Sequence, residues 1–476
     1  MAHPSFSSPR ARFLAAGCVA LAAGGIVLLR APRPTSARSP VYRVDTHPAG
    51  TRAELRGPGL RGRFALSHGA VLAGGARQVY ATVDLTAEAP ERTDRRPVAF
   101  ALVLDTSGSM DGDKIVQARN AVSSLVQRME PGDRVALVTY SDTTRVLQPL
   151  RPVGEVREAL GTTIATIVAA GGTQIPDALD AGARALAEAP EGFVRRVVLV
   201  SDGQDGSGVP LSQVQAGVRV RAGLGVTLSS LGIGADYQEA FLSGVADAGR
   251  GNYEFLQDGS RLQAFLAREI DQAASTVAEQ AVVELRLPDG WRLRRAYGTE
   301  PEGATGTVRL PVGALFARDS RRLVLDLVTD PASVGSAREL SARVAWRSAR
   351  DHRALETPTA GLTVRAVGTP EEASGSRDVE VYAQAETAVG AELQNRALVA
   401  WREGRHAEAT SVMQQNMAHL RAVQAEAPSP ALAAQVAEYE RDRNAVDSLD
   451  ARSEEGRSWS LRGVSQNRAR QWRSAP

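Results

Sequence analysis

The chain of 476 residues is nearly without cysteine, lysine and histidine. Its one cysteine, Cys18, excludes an intrachain disulfide and any multi-cysteine zinc site. Of the 56 basic side chains only Lys114 is a lysine; Asp113 precedes it, so no Gly-Lys-Ser/Thr phosphate loop exists. The six histidines (His3, His47, His68, His352, His406, His419) are scattered, form no His-Glu-x-x-His pair, and leave residues 98–278 without any. Acidic charge is absent from residues 1–43, which hold six arginines; with a net charge of +2 for the chain, the remainder carries −4. A mildly acidic body is a poor grip for a polyphosphate backbone, so no nucleic acid is expected among the partners.

What is present is an ordinary globular mixture, 43% hydrophobic and 23% charged, long enough for about three domains at roughly 150 residues each. One apolar run stands out, Phe13–Leu29, 17 residues without a charge, preceded by Arg10 and Arg12. As a helix it would span about 25 Å, close to the thickness of a hydrocarbon core. Residues 1–30 therefore read as a membrane-spanning signal anchor, with a cleaved signal peptide, cut after Thr35-Ser36-Ala37, as the alternative. Leu14-Ala15-Ala16-Gly17 before Cys18 is only loosely a lipoprotein box, because the apolar run continues past the cysteine. The expected location is extracytoplasmic and membrane-anchored, or secreted if the signal is cleaved. Residues 31–52, rich in Pro, Ser and Arg, read as a linker.

Beyond it the period of the hydrophobic pattern changes twice. Residues 53–97 show short alternating runs, among them Gln78–Leu85, the period of half-buried strands. Val98–Leu104 is a continuous apolar run, the signature of a strand covered on both faces. From 98 to 278 strands and helices then alternate, ending in a long helix over Arg261–Ala278, which predicts an α/β domain with a mostly parallel sheet and helices on both sides. From 279 to 369 the period returns to two (Val282–Leu287, Val308–Leu310, Arg322–Val328, Ala342–Trp346, Leu362–Val367). This predicts an antiparallel sandwich completed by the strands of 53–97, with the α/β domain as an insertion. Residues 370–377 read as a polar linker and 378–450 as a helical region broken at Pro428-Ser429-Pro430. Residues 451–476, with six Arg against two Glu, read as a solvated, frayed basic tail.

The chemistry concentrates at the ends of the buried strands. Leu104-Asp105-Thr106-Ser107-Gly108-Ser109-Met110 closes the first of them with one carboxylate and two hydroxyls on a tight loop. Gly171-Gly172-Thr173-Gln174 offers another hydroxyl ahead of a helix. Val200-Ser201-Asp202-Gly203 ends a second buried strand with a second carboxylate. In a parallel α/β sheet such ends share one edge. Two carboxylates and three hydroxyls are hard oxygen donors, suited to Mg²⁺, Mn²⁺ or Ca²⁺, and leave room for water and one ligand oxygen on a six-coordinate ion.

Residues 98–278 resemble a von Willebrand factor type A domain with a metal-ion-dependent adhesion site. The resemblance implies metal-ligating roles for Asp105, Ser107, Ser109, Thr173 and Asp202; Gln174 stands where the family loop often has Asn. It also implies a partner protein that offers an Asp or Glu carboxylate to the metal, and a shift of the domain's last helix when that ligand is captured. The order of the segments resembles the bacterial membrane-anchored branch of the family. The expected function is thus non-enzymatic, cation-dependent protein binding, as an adhesion or assembly module. A metal-dependent hydrolase using the same Asp and Ser residues is the alternative, although no histidine base lies in the domain. Lys114 resembles a lysine common after this loop in the family but reads as a solvated helix residue, and Asp111, Asp113 and Asp205 read as solvated surface carboxylates, with a second cation site as the alternative.

Overall fold

The computed structural model describes residues 50–89, 95–331 and 333–472. The expected membrane segment 1–30 and the linker up to residue 49 lie outside them. Among the described residues no helix is long and apolar enough to cross a membrane.

Four strands come first: β1 (Arg52–Gly57), β2 (Leu60–Leu66), β3 (Ala70–Leu72) and β4 (Arg77–Ala87). The alternating segment then follows as β5 (Val98–Asp105), α1 (Asp113–Arg128), β6 (Arg134–Tyr140), β7 (Thr144–Pro152), α2 (Val153–Ala165), α3 (Ile175–Ala187), β8 (Val194–Ser201), α4 (Leu211–Gly223), β9 (Val226–Ile233), α5 (Glu239–Ala248), β10 (Arg250–Leu256) and α6 (Leu262–Ala274). Seven more strands succeed it: β11 (Thr276–Arg286), β12 (Trp291–Tyr297), β13 (Thr307–Phe316), β14 (Ser320–Thr329), β15 (Ala337–Ser348), β16 (Ala354–Glu356) and β17 (Ala360–Val367). The helices α7 (Pro370–Gly375), α8 (Val379–Arg402), α9 (His406–Glu426), α10 (Pro430–Ser448) and α11 (Glu454–Trp472) end the described chain.

Strands from both sides of the α/β segment build one sandwich. Its sheets run β1-β2-β4-β14-β12 and β13-β11-β15-β17-β3, with β16 paired to β15. Their inner faces share a core that includes Phe64, Val83, Val283, Leu285, Leu325 and Val344. Pairing is antiparallel except where β17 runs parallel to β3. Alternation of sealed and open residues along β17 (buried at Ala360, Leu362, Val364 and Ala366) is what a strand with one face on a core requires. The α/β segment enters after β4 and leaves through α6, with Ser275 alone between α6 and β11.

The inserted domain has a six-stranded sheet in the order β10-β9-β8-β5-β6-β7, in which only β7 runs antiparallel to its neighbour. Along β5, Val98, Phe100, Leu102 and Leu104 pack on one side with α1, α2 and α6. Ala99, Ala101 and Val103 pack on the other with α3, α4 and α5. Both faces are covered, which is why this strand reads as an unbroken apolar run. Burying each of its larger side chains contributes about 1.5–3 kcal/mol. The chain goes from β5 to β6 and β7 on one side and returns to β8 on the other. The direction of winding therefore reverses between β5 and β8, and the carboxyl ends of those two strands flank the crevice where open α/β sheets place their sites.

Three sequence expectations need correction. The basic tail 451–476 is not frayed through its described part: residues 454–472 form α11, and Leu461 is 1% exposed. Its buried positions are divided between two neighbours, Leu461 toward the α/β domain and Val464 toward Trp401 of α8. No single apolar stripe marks the helix in the sequence. The segment 370–377 is not a bare linker: α7 is closed by a capping box between Thr369 and Glu372, and the Ser376 hydroxyl accepts from the Ala70 N–H at 2.9 Å. The last helix of the α/β domain stops at Ala274 rather than Ala278, and β11 takes the residues beyond Ser275.

Candidate metal centre

Register brings the two carboxylates together. Leu104 of β5 pairs with Val200 of β8, so Asp105 comes level with Ser201 and Asp202 follows at once. Asp105, Ser201 and Asp202 are fully buried and Ser107 is 2% exposed. The Ser107 N–H donates to Asp105 Oδ1 at 2.8 Å and the Ser201 hydroxyl to Asp105 Oδ2 at 2.8 Å. Ser109 Oγ donates to Asp202 Oδ1 at 2.7 Å. Ser107 Oγ lies 3.1 Å from Ser109 Oγ, and its hydroxyl also faces the Asp105 carboxylate.

Thr173 approaches from the loop between α2 and α3. That loop is stitched to the first by Gly108 N–H to Gly171 O (2.9 Å) and Ala170 N–H to Thr106 O (2.8 Å), and to the Asp202 loop by Gly206 N–H to Thr173 O (2.8 Å). Gly171 turns it with φ +84°, its backbone lying against the Asp142 carboxylate. Gly203 leaves the space that Thr173 uses: a Cβ there would stand 3.0 Å from Thr173 Oγ1 and 3.7 Å from Ser109 Oγ. All five residues singled out in the sequence thus converge on one end of the sheet.

The donor set fits a hard divalent cation. Cis ligands on an octahedral ion with bonds of about 2.1 Å lie about 3.0 Å apart. The Ser107–Ser109 and Ser109–Asp202 separations, 3.1 and 2.7 Å, bracket that edge. Among the described residues no group of three or more His, Cys, Asp or Glu could hold a metal, so oxygen donors with hydroxyl partners are the chemistry available. Burial pushes the Asp105 carboxyl above the ordinary aspartate range; hydrogen bonds from Ser107 and Ser201 pull it back, and the neighbouring Asp202 carboxylate adds to the rise.

Two participants were not assigned from the sequence. Ser201 holds the second oxygen of Asp105, a role visible only once the β5–β8 register is known. Lys114, expected to be solvated, instead places Nζ 2.5 Å from Asp202 Oδ2 and 3.3 Å from Ser109 O. Its position in the first turn of α1, five residues after Ser109, puts it back over the loop. Asp205 is also engaged, accepting from the Ile175 N–H at 3.0 Å and from the Ser207 hydroxyl at 2.6 Å.

Residues 100–268 match the von Willebrand factor type A domain, and the architecture of the inserted domain is that of this fold. The chain is 29% identical over 217 residues to the uncharacterized protein YfbK of Escherichia coli (44% of this chain, 37% of the relative). It is 27% identical over 262 residues to the uncharacterized protein sll0103 of Synechocystis (52% and 61%). It is 30% identical over 221 residues to the bovine inter-alpha-trypsin inhibitor heavy chain H4 (44% and 24%). The matched stretch therefore spans less than two thirds of each of these relatives. Among solved structures, a von Willebrand factor type A protein from Catenulispora acidiphila superposes with a TM-score of 0.66 at 20% identity, covering 88% of this chain and 97% of that one. The ArnB paralog VWA2 from Sulfolobus acidocaldarius does so with 0.58 at 16% identity, covering 86% and 98%. At these identities the likeness is one of fold, and it extends beyond the inserted domain.

Proposed function

We propose that this protein is a divalent-cation-dependent protein-binding module, held outside the cytoplasmic membrane by its N-terminal segment, and that it works without catalysis. Asp105, Ser107, Ser109, Thr173 and Asp202 hold Mg²⁺, or Mn²⁺ or Ca²⁺, and a partner protein completes the coordination with an Asp or Glu carboxylate. The observation that carries this reading is the convergence of two buried carboxylates and three hydroxyls from three separate loops at the β5–β8 switch point. Bound there, the cation supplies concentrated positive charge. Asp105 and Asp202 would balance that charge, Ser107, Ser109 and Thr173 would offer it further oxygen donors, and the Gly108 N–H to Gly171 O hydrogen bond ties two of the loops together.

The state of the serines argues against a serine nucleophile, and a cation-activated water would lack a histidine base in this domain. A nucleophilic hydroxyl needs an adjacent base able to take its proton. The Ser109 hydroxyl donates to Asp202, whose charge is already engaged by Lys114, and the Ser107 hydroxyl lies between Ser109 and the Asp105 carboxylate. Neither meets an imidazole, and the domain's sequence contains none. The apolar run Phe13–Leu29 between flanking arginines supports the membrane-anchored, extracytoplasmic placement.

Capture from a membrane fraction on the immobilised protein, in Mg²⁺ and in EDTA, tests the reading. A protein retained in Mg²⁺, released by EDTA and absent when Asp105→Ala is immobilised is the expected result. Mg²⁺-dependent turnover of generic phosphatase, esterase or protease substrates, lost in Asp105→Ala, would instead establish the hydrolase.

A further inference from the structure

We infer that Lys114 is the residue that makes the cation site select an acidic ligand. The inference rests on the divalent-cation reading above and adds to it a charge balance that the five metal-binding residues alone do not set.

Asp202 is fully buried, and both its oxygens are taken: Oδ1 by the Ser109 hydroxyl and Oδ2 by the Lys114 ammonium. Lys114 keeps 31% of its side chain exposed, so the ammonium stands at the boundary between the buried carboxylates and the open side of the site. It is held there by the Ser109 carbonyl at 3.3 Å, and Gly234 leaves it room, since a Cβ at that position would stand 3.5 Å from Nζ. Every other basic residue of the chain is an arginine. An ammonium is compact enough to occupy one Asp202 oxygen while Ser109 keeps the other. A planar guanidinium favours both oxygens at once and would compete with Ser109 for them.

The consequence is arithmetic of charge around two buried carboxylates whose outer side, at Ser109 and Thr173, is open to solvent. Asp105, Asp202 and Lys114 together carry one negative charge. A divalent cation turns that into one positive charge, and a single incoming carboxylate brings the site to neutrality. Without Lys114 the cation alone would balance the two aspartates, and a carboxylate would leave an excess negative charge where uncompensated charge is costly. Lys114 therefore acts in opposite directions on the two ligands. It repels the metal, because both are cations competing for Asp202, and it favours the carboxylate that follows. A residue serving only to hold the loops in shape would, when lost, weaken both.

Manganese titration calorimetry on full-length wild type, Lys114→Gln and Lys114→Arg tests this, each in sodium chloride and in sodium acetate of equal ionic strength, with acetate as the carboxylate probe. In chloride the Gln variant is expected to bind Mn²⁺ about tenfold more tightly than wild type, since a like charge next to the ion has been removed. Acetate is expected to tighten Mn²⁺ binding by wild type and to leave the Gln variant unchanged, while the Arg variant, its guanidinium competing with Ser109 for Asp202, binds Mn²⁺ more weakly than wild type but keeps a response to acetate. If the Gln variant unfolds on metal removal, the same affinities are read on the metal-loaded protein by competition with a chelator. A Gln variant that binds Mn²⁺ no more tightly, or that responds to acetate as wild type does, overturns the role of Lys114 while leaving the cation site in place. Absence of Mn²⁺ binding by wild type would overturn the cation reading itself.

Discussion

Arg196 of β8 and Glu269 of α6 form an ion pair of 2.6 Å, with side chains 4% and 0% exposed. The Ser229 hydroxyl donates to the same carboxylate oxygen at 2.7 Å, and the Asn252 amide to the other at 2.7 Å. Side chains of β8, β9 and β10 thus fasten the last helix of the domain to the sheet. Family resemblance implies that this helix shifts when a ligand is captured. Here an axial slide would draw a sealed carboxylate away from three donors, so the domain opposes that movement with a buried charge, a far larger obstacle than apolar packing alone.

Loss of one partner should therefore be severe and loss of both mild. Glu269→Ala is expected to destabilise the protein by about 3–5 kcal/mol, because it leaves Arg196 buried and uncompensated. The double change Arg196→Met with Glu269→Leu should recover most of that loss, since no charge then remains buried. Urea unfolding of Arg196→Met, Glu269→Leu and the double measures the coupling, with Glu269→Ala read beside them. Equal losses in all three would show that the pair contributes packing and not charge balance.

At the metal centre, removing the carboxylate of the first loop should end cation binding without unfolding the domain. Asp105→Ala deprives the Ser107 N–H and the Ser201 hydroxyl of their acceptor, a cost of about 1–3 kcal/mol. Asp105→Asn retains an acceptor there and isolates the loss of charge. Calorimetric titration with Mg²⁺ or Mn²⁺ should show no binding by either variant, with circular dichroism like that of wild type. An affinity equal to wild type in Asp105→Asn would remove this aspartate from the ligand set.

Much of this centre was legible because its parts are local. Asp105-x-Ser107-x-Ser109 lies on one tight loop, and the two carboxylates end strands so thoroughly covered that they read as apolar runs. What the sequence withheld depends on register and on packing between distant segments. Ser201 reaches Asp105 only because Leu104 pairs with Val200. Lys114 lies in the first turn of a helix whose charged face resembles any solvated one. Helix α11 buries Ser458, Ser460, Asn467 and Gln471 beside its few apolar residues, so hydrophobic period gives no sign of it. Asn467 takes a hydrogen bond from Tyr439 at 2.9 Å, a contact that no composition announces.

Acid should weaken the protein through His68. Burial, with the Arg377 guanidinium beside it, lowers this imidazole to about 4. Arg377 Nε donates to His68 Nε2 at 3.3 Å, which places the ring proton on Nδ1, facing Ser67 Oγ at 2.9 Å. Between about 4 and 6.5 the unfolded chain binds this proton and the folded one does not, so stability falls as pH falls through that window. The contribution at pH 4.5 is about 2–3 kcal/mol. His68→Gln should lose less stability than wild type between pH 7 and pH 4.5. Parallel pH profiles for the two would show that His68 is as free to protonate in the folded protein as in the unfolded one.

The anchor reading places residues 53–476 on the outer side of the membrane. Protease shaving of spheroplasts should digest the full-length protein without lysis and leave a short membrane-bound fragment. Protection until the cells are opened would refute this topology.

The basic C-terminal segment provides the sharpest contrast between what composition suggests and what packing does. Leu461 is 1% exposed and joins the core that α3, α4 and α5 form on one face of the α/β sheet. Arg457 meets Asp236 at 2.9 Å, and Arg468 pairs with Asp247. The exposed Arg457 pair contributes little by itself, which leaves the sealed Leu461 contact and the Arg468 pair to carry the docking. Leu461→Ala is expected to cost about 2–5 kcal/mol, the range for emptying a packed leucine site. Arg462, one residue on and exposed, should change stability by no more than about 0.5 kcal/mol when replaced by Ala. A frayed tail would make both substitutions silent, and a merely electrostatic tether would make Leu461 silent while salt weakened the whole segment. Chemical denaturation of the two variants at low and high salt separates these cases: a large, salt-insensitive loss confined to Leu461→Ala is the signature of a helix that belongs to the core of its neighbour.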